Sequence, residues 1–395
     1  MPDETSPLPP SIGVFDARIY HALNPGMARP AFPAEVARMP AQPRAILVVG
    51  LTAAGDVLHF LPVVSVLKRA YPRARIGWVV QDKARAIVQG RPDLDRVHVF
   101  ERHRWQAGLL NPLRLPGTLA EIASVIREIR AEGYDLLVDP QGTVKSAMVN
   151  LVAGAKCRVG FASGFCRELN NLTTNLRVVL PTKRMHRVKK SVALLEAAGL
   201  DTTGHEARFI VPAEAQAQAE SSLREAGLAA GKYAVIHPGT SEFGARKRWP
   251  LERFAQAADR LFTDFGLAPV FVLGPIEKAW KGELLSGVRK APRIAIEPKS
   301  LAHLGGIIAR AGLFLGCDSA PLHLASNLRV RAVGMFGPTD PILFAPYYHP
   351  AVVVVQGLKC PRCGAPHCNH QVPRMEALAV DDAMAGVALA LSLTP

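Results

Sequence analysis

Residues Phe314 to Pro341 read FLGCDSAPLHLASNLRVRAVGMFGPTDP, and the fold is decided there. An apolar run, Gly312–Cys317, stops at Asp318 and Ser319. A helical stretch follows, and a second apolar run ends in Gly337-Pro338-Thr339. This is strand, tight turn, helix and strand, with an acid and a hydroxyl at the first strand's carboxyl end. In open α/β sheets ligands bind at that end, where helix N-terminal amides point at anionic groups. The stretch therefore predicts a phosphate-type site.

Outward from it the same alternation recurs. Apolar runs at 233–239, 269–274, 293–297 and 332–337 predict further strands of one sheet. An earlier set at 45–50, 75–80, 96–100 and 135–139 predicts a second sheet, with helices at 57–70 and 119–132 between its strands. Such alternation argues for parallel sheets covered by helices. At 395 residues the chain exceeds one ordinary core. The expected organisation is α/β, two Rossmann-like domains facing a cleft. Residues 1–42, rich in proline, read as a flexible N-terminal extension, 43–211 as the first domain and 212–231 as an interdomain linker and helix. Residues 232–380 read as the second domain and 381–395 as a C-terminal helix packing back on the first.

The net charge of +14 fits nucleic acid, an anionic membrane surface or an acidic substrate. Aromatic residues make up only 6%, and no Lys/Arg run is interleaved with Phe or Tyr, which argues against a single-strand binder. No run approaches the roughly 18 apolar residues of a spanning helix, and the N-terminus lacks the order of a signal peptide. A cytoplasmic location is expected. Six cysteines do not suggest a disulfide scaffold.

Four further segments carry candidate chemistry. LTAAGDVLHFLP, Leu51–Pro62, joins a strand to its helix without G-x-G-x-x-G. Asp56 falls at that helix start, either as its N-cap or as a general base for an acceptor hydroxyl. DPQGTVKSA, Asp139–Ala147, offers Gln141 to sugar hydroxyls at another strand end. In HPGTSEFGARKRWP, His237–Pro250, Thr240, Ser241 and loop amides suit phosphate oxygens, and a lysine suits the charge growing on a departing diphosphate. Beside a diphosphate Asp318 is repelled, so it is expected to hold a hydroxyl or cap amides, leaving Ser319 and the following amides as donors. Cys360, Cys363 and Cys368, with His367 and His370, resemble a zinc cluster. They lack a matching second half, so the loop reads as reduced thiols.

Taken in order, GDVLHFLP, DPQGTVKSA, HPGTSEFGARKRWP, GCDSAPLHLA and FGPTDP resemble glycosyltransferase family 9, the lipopolysaccharide heptosyltransferases. ERHRW (101–105) and CRELNN (166–171) are similar to the acceptor side of heptosyltransferase I, and the EFGARKRWP loop to heptosyltransferase II. The resemblance implies a GT-B fold, with acceptor domain first and donor domain second. It also implies inverting transfer of heptose from ADP-L-glycero-D-manno-heptose to the Kdo-bearing inner core on lipid A, with no cofactor and no catalytic metal. By motif, Asp56 matches the base and Lys247 the diphosphate-binding lysine. Thr240, Ser241, Glu277, Asp318, Ser319, Ala320 and His323 match donor contacts. The family often has glycine where this chain has Ala320. On the acceptor side stand Gln141, Arg102, Arg104 and Arg167, whose arginines suit carboxylates and phosphates. Peripheral contact with the inner face of the cytoplasmic membrane is expected, and nucleic acid is not. The alternatives are a related transferase using another nucleotide sugar or acceptor, a basic nucleic-acid-binding protein, and a nucleotide-sugar epimerase of similar architecture.

Overall fold

The computed structural model describes residues 12–18, 39–206, 208–356 and 375–394. The chain divides into two compact units, one within Gly26–Ile210 and the other comprising Val211–Pro395 with the start of the chain. Strand β1 (Ile12–Asp16) belongs to the second.

The first unit holds a six-stranded sheet in the order β4-β3-β2-β5-β6-β7. Its strands are β2 (Ala45–Val49), β3 (Arg75–Gln81), β4 (Arg96–Phe100), β5 (Leu136–Val138), β6 (Cys157–Phe161) and β7 (Leu176–Val178). They pair in parallel, with Val48 opposite Trp78 on one side and Val138 on the other. Parallel strands are covered on both faces, which is why AILVV reads as an unbroken apolar run and is wholly buried. The helices are α1 (Ala54–Ala70), α2 (Arg85–Val88), α3 (Arg102–Leu109), α4 (Leu115–Ala131), α5 (Val144–Val152) and α6 (Arg187–Ala197). Ile129 of α4 and Val149 of α5 pack on one face with Leu47, Val49 and Leu137.

The second unit holds β8 (Tyr233–His237), β9 (Ala268–Val272), β10 (Ile294–Ile296), β11 (Leu313–Cys317), β12 (Ala332–Phe336) and β13 (Ala351–Gln356). With β1 they form a sheet ordered β1-β13-β12-β11-β8-β9-β10, and Leu315 lies opposite both Ile236 and Val333. Helices α7 (Ala213–Glu225), α8 (Leu251–Phe265), α9 (Lys281–Gly287), α10 (Leu301–Ala309), α11 (Ala320–Asn327), α12 (Pro341–Phe344) and α13 (Val380–Ser392) complete it.

Three boundaries differ from the sequence reading. Within the expected flexible extension, Ile12–Asp16 is a strand, antiparallel to β13 at the sheet edge. The expected interdomain helix, α7, is part of the second unit. Ala215 and Ala219 approach α10 so closely that a Cβ on Gly306 would stand 2.8 Å from Ala219 Cβ and 2.9 Å from Ala215 O. The last helix packs on the second unit's sheet rather than on the first domain. Ala383, Met384, Val387 and Ala390 of α13 join Val352, Val354 and Trp249 in one core. The indole of Trp249 donates to Leu378 O at 2.8 Å.

Both sheets share one feature that positions chemistry. In the first, successive strands run outward from β2 to β4, then from β5 to β7, so the order reverses between β2 and β5. In the second it reverses between β8 and β11. Ligand crevices form where loops diverge at such reversals.

Candidate active site

In the second unit the loops after β8 and β11 flank the reversal. Lys247 closes the short 3-10 turn Glu242–Lys247, and its Nζ donates to Asp318 Oδ2 at 2.7 Å. The other carboxylate oxygen lies 3.3 Å from His323 Nε2, on α11. Burial pushes the Asp318 carboxyl up, but His323 and Lys247 outweigh it and hold it down to about 2. Asp318 is therefore an anion at any working pH, and its two oxygens orient a lysine and a histidine. That answers why an acid stands where an anion site is expected. The acid serves the cation.

The Ser319 hydroxyl is buried and makes no hydrogen bond among the described residues, although Ser319 is the N-cap of α11. Ala320 follows at the first helical position, and Pro321 supplies no N–H. Thr240 is committed to its own loop, donating to Gly244 O at 2.8 Å and accepting from Arg248 Nε at 3.1 Å. Ser241 next to it is exposed. Buried Glu277 reaches back over the strand ends. A Cβ on Gly239 would lie 1.9 Å from its Oε1, and one on Gly274 would lie 2.7 Å from its Oε2. The glycines of HPG and LGP thus make room for this carboxylate. Burial pushes the neighbouring His237 imidazole down, with the Glu277 charge opposing it.

In the first unit Asp56 is the third residue of α1. The N-cap is Ala53, whose N–H donates to Asp56 Oδ2 at 3.1 Å. This corrects the expectation that Asp56 is the cap itself. Gln141, the sequence candidate for sugar hydroxyls, also makes hydrogen bonds within the unit. Its Oε1 accepts from Leu51 N at 2.6 Å and its Nε2 donates to Thr143 Oγ1 at 3.0 Å, which ties the Asp56 loop to the loop after β5. Beneath lies a buried polar network. Asp139 accepts from Gly142 N and from the side-chain amides of Asn150 and Asn170, at 2.8 to 2.9 Å. Burial still pushes the Asp139 carboxyl up. Asn170 thereby fastens the CRELNN segment to DPQG.

A basic group surrounds these loops. Arg167 is exposed, with its backbone N–H on Gly142 O at 2.8 Å. Burial lowers Arg187 while the charge of Asp56 raises it, so the two are electrostatic neighbours. Lys190 Nζ donates to Phe165 O at 2.6 Å and stands 4.4 Å from the centre of the Phe161 ring. Burial, then Arg187 and Arg167, bring Lys190 down to about 8. Neither Arg187 nor Lys190 was among the sequence candidates. The available signal was RVKK, 187–190, a basic run opening α6 after β7. Arg102 begins α3, and after burial its charge is the next influence lowering Lys145. Arg104 differs, because it pairs with Glu121 at 2.5 Å across α3 and α4, with both side chains exposed.

Among the described residues no group of three or more His, Cys, Asp or Glu is placed to hold a metal. Cys360, Cys363 and Cys368 lie outside the described residues.

The family model described as glycosyltransferase family 9 (heptosyltransferase) matches residues 122–372. Lipopolysaccharide heptosyltransferase 1 of Pseudomonas aeruginosa is 26% identical over 337 residues, covering 82% of this chain and 88% of its own. Lipopolysaccharide heptosyltransferase 3 of Escherichia coli is 25% identical over 301 residues, covering 74% and 83%. Among solved structures, a family 9 glycosyl transferase from Veillonella parvula superposes with a TM-score of 0.72 at 22% identity, over 90% of this chain and 99% of its own. The E. coli heptosyltransferase WaaC with ADP gives 0.70 at 23%, over 88% and 99%. The fold is the GT-B class of these transferases, with two Rossmann-like units.

Proposed function

Because the chain belongs to glycosyltransferase family 9, we propose that it transfers heptose from ADP-L-glycero-D-manno-heptose to the Kdo/inner-core region of lipopolysaccharide. That it is a glycosyltransferase follows from the family, and the relatives support lipopolysaccharide heptose transfer in general. The donor and acceptor are our reading. The E. coli WaaC structures are described with ADP and with ADP-2-deoxy-2-fluoro heptose. The observation that carries the reading here is Lys247, fixed by the buried Asp318 carboxylate beside the Ser319 hydroxyl, which has no hydrogen-bond partner among the described residues.

The proposed step is a single displacement. Asp56 accepts the proton of the acceptor hydroxyl as its oxygen bonds to the anomeric carbon, and the bond from that carbon to the diphosphate oxygen breaks. ADP leaves with the electron pair and the configuration inverts. Lys247 and the Ser319 end of α11 carry the growing negative charge, a term typically worth 100-fold or more in rate. Glu277 is assigned to the nucleoside side. Arg167, Arg187 and Lys190 offer cations to a carboxylate or phosphate on the acceptor. An acceptor of this kind is borne on lipid, so the proposed working place is the inner face of the cytoplasmic membrane, in peripheral contact.

The decisive experiment incubates the protein with ADP-heptose and Kdo-bearing lipid A, then weighs the products. One heptose added, with release of ADP, is expected. Transfer only from another nucleotide sugar, or only to an acceptor without Kdo, would assign a related transferase. Product formed without any acceptor would point to an epimerase.

A further inference from the structure

The outer face of α5 carries apolar side chains that the first unit's core does not use. Val144, Met148 and Leu151 recur at i, i+4 and i+7, so they share one face, and each is 47 to 66% exposed. The opposite face, with Ser146, Ala147, Val149 and Asn150, is buried. The adjoining turn adds Leu169 and Leu172, at 71 and 65% exposed. Leu169 and Glu168 hold φ of +59° and +54°, a left-handed conformation that non-glycine residues seldom adopt. Glu168 is held there by accepting the Val144 N–H at 3.0 Å, at the start of α5. The chain thus spends backbone strain to set a leucine out in water beside an apolar helix face.

Single exposed apolar residues need no explanation, but a contiguous row does. The charges around this row say what covers it. Lys145 stands in the first turn of α5, Arg167 precedes the Glu168–Leu169 turn, and Arg102 is Lys145's electrostatic neighbour. The α3–α4 corner of the same unit repeats the mixture, with Leu110 and Leu113 exposed beside Arg114. A helix face that is apolar at its centre, with Arg102, Lys145 and Arg167 outnumbering the Glu168 carboxylate at its rim, matches a bilayer surface, with side chains at the acyl boundary and cations among anionic headgroups. No helix among the described residues is long and apolar enough to cross a membrane.

We infer that the outer face of α5, with Leu169 and Leu172, is the surface by which the protein docks on an anionic lipid leaflet. The inference rests on the lipid-borne acceptor proposed above. Because α5 begins directly after the Asp139–Thr143 loop, docking brings the strand-end loops of the first unit to the place where a lipid-linked sugar projects.

The test uses the full chain and a triple variant, Met148→Gln, Leu151→Gln and Leu172→Gln, all at exposed positions. Both are sedimented with vesicles of phosphatidylethanolamine and phosphatidylglycerol, and with vesicles of phosphatidylcholine alone. Wild type is expected to bind the anionic vesicles, and the variant at least about tenfold more weakly, since three large apolar contacts are lost. Transfer to a deacylated, water-soluble Kdo acceptor is expected to be unchanged in the variant, while transfer to vesicle-borne acceptor falls. Equal vesicle binding by variant and wild type overturns the inference, as does equal binding to both lipid compositions. A wild-type dimer in sedimentation velocity that the variant lacks assigns the face to a second copy and also overturns it. Vesicle binding that depends on these residues, without heptose transfer to either acceptor, upholds the docking surface and sinks the heptosyltransferase reading.

Discussion

A buried carboxylate at a phosphate-type site destabilises both fold and ligand unless a cation answers it, and in this chain Lys247 does. Lys247→Ala leaves Asp318 buried beside His323 alone. Discounted for the lysine's partial exposure, the expected loss is about 1–3 kcal/mol by urea titration. Donor KM should rise and kcat fall together, since the departing diphosphate loses its counter-charge. Unchanged donor kinetics would reduce Lys247 to a structural partner of Asp318. Asp56→Asn keeps the side chain's size and its bond to the Ala53 amide but removes the proton acceptor. Turnover is expected to fall about 100-fold or more with little change in donor affinity, and near-normal turnover would remove Asp56 from the reaction. Lys190 gives a pH signature. With its ammonium brought down to about 8, it loses charge as pH rises through that value. Acceptor KM should therefore climb from pH 7 to 9 in wild type and stay flat in Lys190→Gln, whereas donor KM is level in both. In the same direction, the unfolded chain holds this proton to a higher pH than the folded one, so Lys190 adds stability as pH rises above about 8. Asp318 was legible because, with Ser319, it interrupts an apolar run, a one-dimensional signal, and Lys247 because it stands in a basic loop whose motif resembles the family's. The part Gln141 plays was not, since an amide reaching another loop's backbone leaves no trace in spacing.

At the scale of elements, strands buried on both faces announce themselves as apolar runs, which is why β2, β8, β11 and β12 can be read directly. The sequence reading assigns no strand to AVVVVQ, 351–356, or to Ile12–Asp16, and the two are partners across the sheet edge. Five residues among prolines carry too little pattern, and antiparallel pairing across most of the chain is decided by tertiary contact. The docking of α13 failed for a related reason. A face of Ala, Gly and Val fits any sheet, and only close approach selects one, as at Gly386, where a Cβ would stand 2.6 Å from Val354 Cγ2. The Ala/Gln/Glu-rich composition of α7 suits an interdomain helix and turn, yet its alanines are what lets it lie against Gly306. Gly306→Val is therefore expected to lose about 1–3 kcal/mol, as overpacking does. Gly282→Ala in α9, where nothing lies within 4 Å of the added carbon, should gain up to about 1 kcal/mol from a stiffer unfolded chain. Urea midpoints that move alike for both would contradict the close approach of α7 to α10.

Over the whole molecule, a charge of +14 is compatible with several polyanions, and its local distribution discriminates among them better than its size. Arg104 is answered by Glu121, whereas Arg167 is exposed and belongs to the group formed with Arg187 and Lys190. The donor-side cation Lys247 is paired at 2.7 Å with a buried carboxylate, a short-range arrangement that salt screens little. Exposed cations act over the Debye length, which contracts from roughly 30 Å at 0.01 M to about 8 Å at 0.15 M salt. Raising salt over that range should increase acceptor KM several-fold while donor KM moves little. Arg167→Ala should raise acceptor KM at low salt and flatten this dependence, and Arg104→Ala should raise acceptor KM less, because its guanidinium already faces Glu121. A nucleic-acid-binding protein would behave differently. Its affinity for an oligonucleotide would fall steeply with log salt, and ADP-heptose would have no effect on it. Initial-rate kinetics of the two arginine variants at both salt concentrations separate these cases. Parallel changes in donor and acceptor KM, or equal losses for Arg104→Ala and Arg167→Ala, would mean that the positive surface acts as a uniform field and that no acceptor group is recognised by it.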